Sequence, residues 1–148
     1  MKFPFLLGRL IFGSYFLYNG IHHFIERKSM AQYAGAKNVP IPGAAVTVTG
    51  VALALGGASI LLGIKPKLGT ASLVGFLAGV SPLMHDFWNA PDTEKRQAEM
   101  INFTKNMALL GGSLALMGIE EPWPASVPAA RPSRRERIRK LAREVLGA

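Results

Sequence analysis

The chain contains no cysteine. Disulfides, thiolate metal sites, iron–sulfur clusters and dithiol redox chemistry are therefore excluded. Acidic residues are scarce as well, nine Asp or Glu against 17 Lys or Arg, and histidine occurs three times. No charge sits near the middle of the long apolar runs, so a monomer has no continuous polar pathway of the kind a transporter or channel needs.

What the chain does have is 49% hydrophobic residues in a length of 148, together with a net charge of +8. That pairing is odd for one soluble domain, and the two properties separate along the chain. Apolar runs fill residues 3–119, whereas Arg131 to Arg143 carries seven Lys or Arg against one Glu. The opening Met1-Lys2 and apolar run resemble a secretory signal, but Tyr15, Phe16, Tyr18 and Asn19 follow where small residues would mark cleavage. The run reads as a retained membrane helix.

A helix needs about 20 mostly apolar residues to cross a bilayer. Segments 3–24, 44–64, 68–87 and 103–119 meet that need, which predicts an all-α membrane protein with a four-helix transmembrane bundle over residues 1–119. "GIKPKLG" joins the second and third spans as a tight turn, with Pro66 stopping the helix before it. "MAQYAGAKNVPIPG" and "NAPDTEKRQAEM" predict short interfacial helices in the other two connections. Small residues at Gly75 and Gly79, Ser59 and Gly63, and Gly111-Gly112 suit close helix packing in lipid. Counting Lys and Arg with both termini in the cytoplasm gives eleven inside and six outside, and the basic tail supplies seven of the eleven.

All three histidines fall at one end of the bundle. Residues four apart share a helix face, so Tyr18, His22 and Glu26 form one stripe, and Asn19 and His23 the next. "SPLMHDFW" ends the third span, with Pro82 interrupting the helix before His85, Asp86 and Trp88. Lys105 and Asn106 open the fourth span on the same side, where the cation opposes the helix dipole and would gain from Asp86 or Glu26. Asn19, His22, Glu26, His85, Asp86, Trp88, Lys105 and Asn106 are thus the candidate ligand-binding residues.

Headgroup-level His, Trp and Lys are also ordinary furniture of span ends. His22 and His23 point about 100° apart, so only one readily shares a centre with His85. Such a cluster could hold a haem iron, a divalent metal, or the carbonyl of a quinone. A quinone-like or lipid-like ligand stands ahead of haem and metal, because no spacing here is specific to iron or to a metal ion. The sequence fixes no cofactor and no catalytic residue.

Five stretches in this order, "GRLIFGSYFLYNGIHHF", "MAQYAGAKNVPIPG", "TGVALALGGASILLGIKPKLGTA", "MHDFW" and "NFTKNMALLGGSLAL", resemble the DoxX family of small four-span membrane proteins over residues 8–117. The resemblance implies a four-helix bundle in the bacterial inner membrane. It implies functions ranging from quinone-coupled thiosulfate oxidation through membrane oxidoreductase assemblies to chaperoning of membrane proteins. Within the family pattern it points to His85, Trp88, Lys105 and Asn106. The lack of cysteine and of a soluble catalytic domain argues against autonomous sulfur chemistry. The expected role is an accessory or quinone-proximal subunit of a redox system; the alternative is a non-catalytic scaffold or assembly factor in a larger membrane complex, with self-association a further option.

Residues 120–130 read as a proline-rich, semi-extended linker with Trp123 at the interface. Residues 131–148 read as a basic amphipathic helix, with Ile138, Leu141 and Val145 on one face. Arg131, Arg134, Arg135, Arg137, Arg139, Lys140 and Arg143 suit anionic lipid headgroups first and a cytoplasmic partner second. Nucleic acid is not expected, since no aromatics interleave with the charges.

Overall fold

The computed structural model describes residues 2–127. They form five α-helices and no strand: α1 (Lys2–Ile25), α2 (Arg27–Ala36), α3 (Pro42–Leu62), α4 (Pro66–Met84) and α5 (Thr93–Met117), with one 3-10 turn at Phe87–Asn89. The tail at 131–148, with its seven basic residues, lies outside the described residues.

Local chemistry sets the helix limits. Pro42 and Pro66 sit in the first turns of α3 and α4, where a missing amide hydrogen costs nothing. Gly63 closes α3 in the left-handed region at φ 68°, and its amide reaches Ser59 O. Asp92 caps α5 by accepting from the Lys95 amide at 2.7 Å.

Two stretches, Pro42–Leu62 and Pro66–Asn89, are long and apolar enough to cross a membrane. Helices α1 and α5 match them in length, at 24 and 25 residues, but are more polar. Helix α5 begins ten residues before the expected span at 103, because the Asp92 cap starts it there and the turn-and-helix stretch "TEKRQAEM" runs straight into the apolar part. Helix α4 ends at Met84, two residues after Pro82, so His85 and Asp86 leave the helix.

Packing depends on some of the expected small residues, Ser59, Gly63 and Gly112, and on other glycines that spacing did not single out. A Cβ at Gly20 would collide with Ala54 and one at Gly57 with the backbone of Leu17 and Gly13, so α1 and α3 lie backbone to backbone there. Gly56 and Gly69 bring α3 and α4 together in the same way, with Ser59 against Gly69. Gly75, Gly79 and Gly111, by contrast, face open space, and Gly112 receives the Phe12 ring. Spacing alone does not tell an inward glycine from an outward one.

Phe16, Leu53, Ile60, Leu73, Leu77 and Trp123 make the buried core. Trp123 was expected at the interface but is only 2% exposed, edge-on to Phe5 with ring centroids 5.4 Å apart. Its segment is held onto the bundle rather than extended. Arg9 donates to Pro124 O (2.7 Å), Ala125 O (3.0 Å) and Leu61 O (3.1 Å), and the Val127 amide donates to Leu62 O at 2.8 Å. Leu61 and Leu62 end α3, whose free carbonyls favour a cation and a donor.

Candidate functional site

At the opposite end from Arg9, α2, the end of α4 and the start of α5 meet. Helix α2 places Tyr33 and Lys37 one turn apart on one face. Release from α4 lets His85 and Asp86 turn toward them, and the extra turns of α5 bring Glu99 alongside. His85 Nδ1 lies 2.8 Å from Glu99 Oε2, and the Tyr33 hydroxyl donates to Glu99 Oε1 at 3.0 Å. Lys37 pairs with Asp86 and lies 3.9 Å from Glu99. Three elements are thereby latched by one polar network.

The network is partly dry. Glu99 is 7% exposed. Its burial alone would raise its carboxyl, but the hydrogen bonds from His85 and Tyr33, then the charge of Lys37, outweigh it and hold the group below its ordinary value. The Tyr33 phenol is pushed up to about 12, by burial first and then by the hydrogen bond and charge of Glu99 and the charge of Asp86.

Beneath the network lies a cavity of about 580 Å³, a size common for small-molecule sites. Phe16, Leu53, Phe76, Leu77 and Leu109 contribute much of its apolar wall, and His85, Tyr33, Asn19 and His23 contribute polar atoms near one end. Asn102, Lys105 and Asn106 line it from α5. Among the described residues no group of three or more His, Asp or Glu side chains is arranged to hold a metal ion.

Of the expected residues, Asn19, His85, Lys105 and Asn106 line the cavity. His22, Glu26, Asp86 and Trp88 do not. His22 stacks on Tyr18 (5.7 Å between centroids) along the outer stripe, and His23 takes the inward position, its Nδ1 2.8 Å from Asn19 O. Glu26 is exposed and accepts from the Ser29 hydroxyl. Trp88 is half exposed and packs on Phe87 and Phe103. The carboxylate partner expected for Lys105 is not there: Asp86 is taken by Lys37, and Lys105 donates to Asn102 Oδ1 at 3.1 Å.

Sequence reasoning passed over Tyr33, Lys37 and Glu99. Extending the fourth span upstream would have exposed the signal, because Glu99, Asn102 and Asn106 recur at helical spacing on one face.

This arrangement belongs to a helical membrane protein with a ligand-sized cavity at one end. The DoxX family model matches residues 5–86, more than half of the chain, and the chain belongs to the DoxX family of small membrane proteins. No curated protein and no solved structure matches it.

Proposed function

We propose that this DoxX protein is a four-span inner-membrane protein that receives a quinone in its end cavity, as an accessory subunit of a membrane redox system. The observation carrying the reading is His85 on the wall of an otherwise largely apolar cavity, with Glu99, itself outside the lining, engaging its Nδ1 at 2.8 Å. Helices α1 and α5 are long enough to cross beside α3 and α4, and the family is one of membrane proteins. The Lys and Arg count, which turns on the seven tail residues, supports both termini in the cytoplasm and the cavity end outside.

The residues suit the group. A quinone needs an apolar slot for its ring and tail and hydrogen-bonding groups for its carbonyls, and it supplies reversible electron carriage when bound. Glu99 engages His85 Nδ1, so the carboxylate fixes the ring and its tautomer and leaves Nε2 as the nitrogen that holds or gives up a proton. Tyr33 keeps Glu99 in place, and Lys37 balances the two carboxylates. Quinone extraction from protein purified in mild detergent tests this: enrichment in wild type and loss in His85→Ala is expected, and equal content in both would overturn it.

A second reading, a scaffold that holds larger membrane proteins or another copy of itself, is favoured by Gly75, Gly79 and Gly111, whose faces meet nothing within 4 Å. Enlarging them to Leu would then cost a co-purifying partner and leave the fold intact. In the first reading the basic residues of 131–148 serve anionic lipid, and in the second they help hold the partner, so that removing Arg131–Ala148 would lose it.

A further inference from the structure

The wall of the cavity formed by α5 differs from the His85 end. Asn102, Lys105 and Asn106 stand at i, i+3 and i+4, so all three present to the cavity from one face. Lys105 binds Asn102 Oδ1, which leaves the Asn102 NH₂ and the remaining ammonium hydrogens as donors. Asn106 is 9% exposed, lines the cavity and makes no side-chain hydrogen bond to any described residue. Its amide therefore keeps both donor and acceptor capacity free for a group entering the cavity.

Charge gives the second half of the argument. Among the described residues no Asp or Glu lines the cavity and Lys105 has no carboxylate within salt-bridge distance. Of the acids at that end, Asp86 is engaged by Lys37, Glu99 by His85 and Tyr33, Glu26 by Ser29 and Asp92 by the Lys95 amide, while Glu94 lies at the start of α5, eleven residues before Lys105. A cation just inside a membrane span, with an amide beside it, favours an anion over a neutral group. The flank is open where such a ligand would arrive. Helices α1 and α5 meet through the Phe12 side chain on Gly112, and Tyr15 and Lys105 are exposed while also lining the cavity.

We propose that Asn102, Lys105 and Asn106 bind the acidic head, carboxylate or phosphate, of a single-chain amphiphile whose chain lies along Phe16, Leu53, Phe76 and Leu109. The proposal rests on reading the cavity as a site for membrane-soluble ligands and goes beyond the quinone by fixing the charge of a head it accepts. Acid and quinone share the cavity and compete for it.

The test is fluorescence titration of the full chain in neutral detergent with cis-parinaric acid, with its methyl ester as the uncharged control. The acid should bind at least about tenfold tighter than the ester, and Lys105→Gln should erase that preference without weakening the ester. Lys105→Arg should keep it, and Asn106→Asp should reverse it by facing the head with a like charge. A C16 alkyl phosphate that displaces the acid at lower concentration names phosphate as the preferred head; a weaker one names carboxylate. Equal binding of acid and ester, or a preference that survives Lys105→Gln, overturns the proposal even if a short-chain quinone binds. Acid selectivity that depends on Lys105, with no displacement by that quinone, upholds the proposal and removes the quinone reading instead.

Discussion

His85 and Glu99, fourteen residues apart, meet at 2.8 Å across the gap between the end of α4 and the first turns of α5. Their pairing joins two helices at His85, whose amide makes the last backbone hydrogen bond of α4, to Ser81 O. Glu99→Ala should therefore cost about 1–3 kcal/mol, since the His85 ring loses its acceptor and the Tyr33 hydroxyl keeps only the longer bond to Met84 O at 3.3 Å. Urea denaturation in detergent checks it, and a loss below about 0.5 kcal/mol would show that the latch holds nothing.

Acid should loosen the same latch. The Glu99 carboxyl is held below its ordinary value of 4.5, so between the two values the unfolded chain binds more protons than the folded one. Its contribution is present above pH about 4.5 and disappears as pH falls through the lower, folded value. Melting temperature should fall on acidification below that point, and Glu99→Gln should flatten the slope.

At the alkaline extreme the sign reverses. Tyr33 loses its proton only at about 12, against 10.0 for a free phenol, so its contribution is complete below pH 10.0 and is lost as pH rises toward 12. An absorbance titration near 295 nm should show a late tyrosine step that Tyr33→Phe abolishes.

Glycines divide into two classes by what faces them. Gly57→Ala should destabilise by about 1–3 kcal/mol, because a Cβ there meets the α1 backbone, which cannot swing aside as a side chain can. Gly79→Ala should stay within about 0.5 kcal/mol or gain slightly from helix propensity. Paired denaturation curves decide the matter.

Helix boundaries were largely legible because length, hydropathy and proline placement act locally. Gly63 and Pro66 set the α3–α4 turn without help from distant residues. The site was only half legible for the opposite reason. Choosing between His22 and His23 requires the rotation of α1 on α3, which Gly20 on Ala54 and Gly57 on Leu17 decide through contacts more than 30 residues apart. Glu99 was missed because the apolar pattern begins after it, although the helix does not. Trp123 looked interfacial because nothing near it in sequence announces that Arg9 collects the carbonyls beside it.

Arg9→Met should free that segment. Three carbonyls lose a charged donor, and Trp123 passes from 2% exposure toward solvent. In a Trp88→Phe background the remaining tryptophan emission should shift to the red and become open to iodide quenching; an unmoved spectrum would show that the Phe5 contact suffices.

The same clasp imposes an order on biosynthesis. The guanidinium of Arg9 must wait for carbonyls 115 and 116 residues downstream, so α1 is made with a cation two of whose acceptors have yet to be translated. Only Leu61 O becomes available in the interval. A nascent chain halted before Pro124 leaves Arg9 without two of its three carbonyls, and only docking of residues 124–125 completes the clasp.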